Sequence, residues 1–447
     1  MNTRTRLVTL IVVGVAVVVA VAIVLTMTLN RPKEAIQPDP VAATVPVALG
    51  AEGLPKDFKI GVIFTFGQSG EPGSEYNRAV QGTVVAAERF AQGGAAVDLR
   101  TQNDRGTEDG ARAAVAALAD QGVSGIVVAS TGPQASAAAK AAGERGLAVI
   151  LPYADPAEPG PTIWTTTPSA ASVDAALATA LAGKSKVMLV SDGGAVPASI
   201  QATQTLNLQD FEDVTGLAQE AAIRTGDQLL PLAENAPAGS ESVRVSDPAD
   251  AVVVSAATPQ RLARLVQALQ SRDVSVPLIL GDGATAPAFA SALAELDGSA
   301  SGQLVSVAAA GGDGAALQQD AQGRGMSAFL SALRLASGDA QIKNLTGDAP
   351  LSTDAWAADA ASHDAVVALV RAAALAGNGD PAKVATALRS VSLGAGEGLA
   401  GSTLDFSTPE ALTSKAVPVY ASDQDLGLRP ADEKAPRLVW VAAPATP

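Results

Sequence analysis

Cysteine is absent from the chain, and with it disulfides, thiolate metal sites, cysteine nucleophiles and a lipid-modified cysteine. Histidine occurs once, at His363, which excludes histidine-rich metal centres. Aromatic residues make up only 3% of the 447 residues. The 48% that are hydrophobic must therefore build their core from Ala, Val and Leu, at about 0.8 kcal/mol per buried methylene. Basic side chains are outnumbered by acidic ones, 30 to 45, for a formal net charge of −15. Such a surface repels nucleic acid, which is held by clustered Lys and Arg that displace counterions. A chain of this length is too long for one ordinary domain and comfortable for two.

The charge is not evenly spread. Arg4 and Arg6 precede Leu7–Leu29, 23 residues without a charge, and Arg31 and Lys33 follow. At 1.5 Å per residue this run spans the roughly 30 Å hydrocarbon core of a bilayer. Residues 1–33 read as an uncleaved transmembrane anchor. The rival is a signal peptide, whose apolar region is usually about 7–15 residues. The only small-residue cleavage pattern, Ala20-Val21-Ala22, lies inside the apolar run. Residues 34–56, rich in Pro, Ala and Val, read as a linker. Beyond the anchor, 26 basic side chains face 45 acidic ones, a net charge of −19. That suits a solvated extracytoplasmic domain held at the cell membrane by a single-pass helix.

From residue 57 the pattern alternates. Apolar, β-branched runs at 59–65, 96–102, 124–130 and 147–153 are separated by helical patterns at 75–91, 107–120 and 133–145. A second series places strands at 186–192, 250–256 and 276–282, with helices at 197–208, 258–271 and 285–296. This rhythm predicts parallel βαβ units with helices on both faces of each sheet. Helical stretches at 322–337, 354–376 and 381–390 follow, then strand-like runs at 402–406, 416–421 and 437–442. Such a tail need not be a third domain; a return to the first sheet would make both lobes discontinuous.

In open parallel sheets, ligands sit beyond the carboxyl ends of the strands, where helix N-termini offer free N–H groups. Small and polar residues stand at those points. Ser69, Gly70, Ser74 and Glu75 follow the first strand, Ser130, Thr131 and Gly132 the third, and Tyr153, Ala154 and Asp155 the fourth. Asp282 and Gly283 follow Leu278-Ile279-Leu280 in the second series. Helix capping accounts for any one of them alone. Four such loops on one edge point to a small-molecule cleft, with Ser69–Glu75 as one lip.

Other signals are weaker. Gly396-x-Gly398-x-x-Gly401 follows a helix and precedes a strand, the reverse of a dinucleotide site. Gly183-Lys184-Ser185 lacks the glycine a phosphate loop requires at 178, which is Ala178. His363 reads as structural, Asp104 and Asp109 as a solvated helix start, and the three tryptophans as core. No Ser–His–carboxylate order and no HExxH stands out, so the chain does not read as an enzyme. No cofactor and no metal are expected.

The stretches KIGVIFTFGQSG, YNRAVQG and FAQGG, then QNDRGTEDGARAAVAALADQGVSGIVVASTGPQASAAA and LAVILPYADPAE, carry a resemblance. So do ATPQRLARLVQALQSRDVSVPLILGDG and ASHDAVVALVRAAALAG. In their order and spacing from about Lys59 to Ala442 the chain resembles the type I periplasmic binding proteins, in their leucine/isoleucine/valine-binding branch. The resemblance implies an α/β fold of two lobes, each a parallel sheet flanked by helices. Lobe 1 would hold 57–165 plus about 309–395, and lobe 2 would hold 166–308 plus about 396–442. It implies that Ser130 and Thr131 meet a ligand carboxylate, while Ala154, Asp155 and Asp282 meet an ammonium. Asp155 stands where relatives usually have Thr. The loop SDGGAVPASIQA lacks the aromatic residue that relatives place over the ligand. The function expected is capture of an amino acid or similar solute for an ABC permease. The alternative is a membrane-anchored sensor or envelope scaffold with a degenerate cleft.

Overall fold

A computed structural model describes residues 47–442, apart from 68–69, 71, 197–198, 233–234, 236–239, 282, 301–302 and 310–311. The expected anchor, Ser69 and Asp282 lie outside the described residues. Among the described residues no single helix is long and apolar enough to cross a membrane.

The first five strands are β1 (Lys59–Phe64), β2 (Asp98–Asn103), β3 (Gly125–Val128), β4 (Ala148–Leu151) and β5 (Ile163–Thr165). They form one sheet in the order β2-β1-β3-β4-β5, parallel throughout. Three helices fill the crossovers: α1 (Gly82–Gln92), α2 (Glu108–Asp120) and α3 (Gly132–Gly143). The second series begins with α4 (Ala170–Ala180), β6 (Val187–Asp192), β7 (Gln204–Asn207) and α5 (Val214–Arg224). It continues through β8 (Ala251–Ala256), α6 (Pro259–Gln270), β9 (Leu278–Leu280), α7 (Pro287–Glu295) and β10 (Leu304–Ala309). The tail holds α8 (Ala321–Gly338), α9 (Ala360–Ala376) and α10 (Pro381–Leu388), then β11 (Ser392–Leu393), β12 (Leu404–Asp405), β13 (Ala416–Ser422) and β14 (Val439–Ala442).

Helix starts follow from side-chain chemistry. Thr107, Thr258, Asp359 and Asp380 each accept a backbone N–H three residues on, capping α2, α6, α9 and α10. Pro259 and Pro381 occupy first helical positions, where no N–H is needed. Gly377 ends α9 in the left-handed conformation that glycine adopts at no steric cost. The scarcity of aromatics is met by alanine. α3 turns Ala135, Ala138 and Ala142 onto Ile126, Val128 and Val149, bringing helix and sheet close. α9 is buried on nearly all sides from Ser362 to Ala373, and His363 lies within it, fully buried.

Several elements depart from the sequence pattern. The helix expected over 197–208 is absent from its described residues, 199–208: 204–207 form β7, paired parallel to β6 at the sheet edge, with one turn of 3-10 helix at 208–210. Thr205 is exposed and Leu206 buried, the period-two burial of a half-covered strand. The tail strands at 416–422 and 439–442 do not join the first sheet; they lie in the second, within the range 396–442 expected for lobe 2. β13 and β14 extend the second sheet, which runs β14-β13-β10-β9-β8-β6-β7, and both additions are antiparallel. The second lobe is thus a mixed sheet rather than a wholly parallel one.

Residues 396–412 lie with the first lobe rather than the second. Leu399, Leu404, Phe406 and Ala411 are buried in one cluster with Phe58, Phe90 and Trp164, and Trp164 Nε1 donates to Phe406 O at 2.9 Å. The last part of the expected linker is also packed: Leu49 is buried, and its N–H donates to Arg89 O at 2.8 Å.

Candidate functional site

The segment between β1 and α1 meets α7, the helix that follows β9. The Glu75 carbonyl, after β1, accepts the Ala288 N–H at the start of α7 at 3.4 Å. Arg78 Nη1 donates to Ser291 Oγ, on the same helix, at 3.3 Å. The first lobe's lip therefore touches the second lobe's helix in this structure.

The lip is built around Glu75. One carboxylate oxygen accepts the Thr131 hydroxyl at 2.7 Å, and the other accepts the Gly73 N–H at 3.3 Å. Gln134 Nε2, from the first turn of α3, donates to Pro72 O at 2.8 Å. A Cβ on Gly73 would collide with the Gln134 amide and the Thr65 hydroxyl, so the small residue there serves a close approach. Ser74 is buried beneath this lip and is hydrogen-bonded.

Ser130 lies deeper. Its hydroxyl donates to one oxygen of Asp104, whose other oxygen accepts the Thr65 hydroxyl at 2.6 Å. All three residues are fully buried. Asp104 is thus not the solvated helix start that its surroundings, QNDRGTEDG, suggest. Both hydroxyls expected to receive a ligand carboxylate, those of Ser130 and Thr131, are donated to carboxylates of the protein itself.

The loop after β4 supplies a second group. Tyr153 stacks on Tyr76 with ring centroids 4.2 Å apart and planes 4° from parallel, an arrangement worth about 0.5–1.5 kcal/mol beyond burial. Its phenol donates to Asp359 Oδ1 at 2.8 Å. That oxygen also accepts the Ser362 N–H at 2.9 Å and the Ser362 hydroxyl at 2.7 Å. Burial raises the Tyr153 phenol well above its ordinary range, and the Asp359 charge adds to the effect. Ala154 O accepts the Thr165 hydroxyl at 3.1 Å. Asp155 is exposed at the surface; partial desolvation raises its carboxyl, the Thr165 hydroxyl opposes this, and Glu410 adds to it.

The structure therefore brings Ser74, Thr131 and Glu75 into one group, Ser130 into a second with Asp104, and Tyr153 into a third with Tyr76 and Asp359. Glu75, Tyr76, Asp104 and Asp359 carry much of this geometry. Glu75 stood in the lip sequence and Tyr76 directly after it. Asp359 carried the signal of a capping residue three positions before Ser362.

On the second lobe, Asp192 is the last residue of β6. Its carboxylate takes Arg261 Nε, from the first turn of α6, at 2.7 Å. Arg261 in turn is held in its charged form by Asp192.

Burial pushes the Asp359 carboxyl up to about 6 from 3.8, against its bonds from Ser362 and Tyr153 and the charge of Arg429. Between pH of about 4 and 6 the folded protein keeps a proton that the unfolded chain has lost. This group's contribution to stability is therefore present at acid pH, falls as pH rises through that window and stays lost above it. Asp359→Asn keeps an acceptor at Oδ1 without the charge. It is expected to remove this slope, giving a gain over the parent of about 3 kcal/mol at pH 7 and little at pH 4. Urea unfolding of both proteins at the two pH values reads the difference. An equal gap at both would show that the carboxylate is not strained. His363, which burial pushes down, gives a slope of opposite sign but is common to both proteins.

No protein-family model and no curated protein matches the sequence. Solved structures do. An ABC transporter substrate-binding protein from Desulfitobacterium hafniense, in complex with Leu, aligns with 86% of this chain and 100% of its own, at 16% identity and TM-score 0.56. A leucine-binding protein from Thermotoga maritima aligns with 86% of this chain and 98% of its own, at 18% identity and TM-score 0.56. A type 1 periplasmic binding protein from Bordetella pertussis aligns with 87% of this chain and 100% of its own, at 15% identity and TM-score 0.54. The fold is that of the type I periplasmic binding proteins. At these identities the likeness establishes architecture.

Proposed function

We propose that the chain is an extracytoplasmic solute-binding protein. It would close two lobes over a small polar solute, an amino acid or derivative, and present it to an ABC permease. The observation that carries this reading is the meeting of the loop after β1 with the helix after β9 at Glu75 and Ala288, in a fold that aligns over 86% of this chain with solved amino-acid-binding proteins. Closure is the state a permease would distinguish from the open one. The carboxylates of Glu75 and Asp155 at this edge favour a solute bearing an ammonium group, since charge-assisted hydrogen bonds are roughly twice as strong as neutral ones.

A second reading is favoured by one observation. The hydroxyls of Ser130 and Thr131 are already committed to Asp104 and Glu75, so a ligand carboxylate would have to displace an internal partner. A sensor or envelope scaffold with the same fold has no need of those donors, and fold alone does not assign function.

A thermal-shift screen of the purified protein against amino acids, amino-acid amides and polyamines separates the two. A solute at 100 times its Kd adds about 2.7 kcal/mol, so one compound class should raise the melting temperature clearly. Silence across the panel from well-folded protein supports the scaffold or sensor.

A further inference from the structure

The loop between β13 and β14 leaves the second lobe's sheet at Ser422 and rejoins it at Val439. Between those points it reaches across to the first lobe. Leu428 packs against the cluster that contains Val84, Phe329 and Leu330. Beside it, Arg429 is fully engaged. Its Nε and Nη2 donate to the two Asp313 oxygens at 2.5 and 2.9 Å. Its Nη1 donates to the carbonyls of Ala355 and Ala358 at 3.0 and 2.8 Å. The Arg429 and Asp313 side chains are 23% and 19% exposed, so this pair is sheltered from solvent in a way the chain's surface pairs are not. The planar fork of arginine suits such a junction, and lysine cannot reproduce it.

The three groups joined there belong to different parts of the molecule. Arg429 comes from the second lobe's hairpin. Asp313 lies on the segment that carries the chain from β10 back to α8. Ala355 and Ala358 belong to the first lobe, just before α9. The next residue, Asp359, holds Tyr153, which stacks on Tyr76, next to the lip carbonyl that meets α7. A continuous line of contacts therefore runs from Arg429 to the segment that meets α7.

We propose that residues 423–438 form a strap that sets the angle between the lobes, with Arg429 as its clasp. The inference rests on the two-lobed clamp reading but requires no solute. Losing the clasp frees the hairpin from the first lobe and releases the lobes toward wider openings.

The absence of cysteine makes the test direct. Asp109→Cys on α2, whose side chain is 95% exposed, and Arg264→Cys on α6, also exposed, are spin-labelled in the otherwise unaltered full chain. Pulsed dipolar spectroscopy then reads the inter-lobe distance without solute. The parent is expected to give one narrow distribution, and Arg429→Met a broadened one with an added longer population. Arg429→Lys, which keeps the charge without the fork, should fall between them. If Arg429→Met does not fold, Asp313→Asn, which leaves the carbonyl bonds in place, should still shift part of the population to longer distance. Folded variants whose distributions superimpose on the parent's overturn the proposal. A strap that behaves as expected alongside a silent solute screen would leave this inference standing and remove only the binding role.

Discussion

Replacing Arg89 with Met is expected to destabilise the protein by about 3–5 kcal/mol, the cost of removing one partner from a buried charged network. Arg89 is fully buried. Its Nε donates to Val47 O at 2.7 Å, and its Nη1 serves His363 Nε2 at 2.9 Å and Gly398 O at 3.1 Å. Because the guanidinium can only donate, Nε2 of His363 must be the bare nitrogen. Nδ1 then carries the proton and donates to Asp364 Oδ1 at 2.7 Å. Asp364 accepts the N–H groups of Ala400 and Gly401, each at 2.8 Å. Burial pulls the Arg89 guanidinium down to about 10, with the Asp364 charge opposing that shift, so it remains cationic at neutral pH. Methionine fills the volume but leaves two carbonyls and an imidazole nitrogen without a donor. Denaturant unfolding of the two proteins measures the gap. A loss below about 1 kcal/mol would show that water or a shifted side chain satisfies those acceptors.

Asp104→Ala should cost about 3 kcal/mol by the same measurement, for a different reason. Its carboxylate gathers the hydroxyls of Thr65 and Ser130 and the Gly106 N–H, the last at 3.0 Å. Removing it orphans the buried Ser130 hydroxyl, whereas Thr65 retains Pro72 O at 3.4 Å. Asp104→Asn keeps the shape and part of the accepting capacity, and should lose about a third as much. Equal losses for the two variants would locate the effect in charge rather than in hydrogen bonding.

Much of the strand framework was legible from the sequence. KIGVIF and SGIVVAS are β-branched runs closed by small residues, and β1 and β3 lie within them. Partnership was not legible. The run at 416–421 has the same appearance whether it joins the first sheet or pairs antiparallel with β10. Asp104 sits among Gly, Thr and charged neighbours that suggest a solvated turn. Its burial comes from Thr65 and Ser130, which are remote in sequence and brought to it by the order β2-β1-β3. The loop after β1 and the loop after β4 carry an aromatic pair of their own, Tyr76 against Tyr153. A search for an aromatic at one expected place could not see a stack formed across two loops of the other lobe.

The first lobe also sets an order of events during synthesis. Its sheet is complete once residue 165 has been made, yet Arg89 must wait for His363 and Gly398, and Trp164 for Phe406. The second lobe's strands through β10 are translated in the interval. The domain begun first is therefore among the last to close its core. Contacts of such sequence separation are slow to form, since a long loop must be closed before any of them stabilises the chain. Until the final quarter of the chain emerges, Phe58, Phe90 and Trp164 lack most of the residues that cover them in the finished protein, and the nascent chain depends on its surroundings to keep that apolar surface from associating.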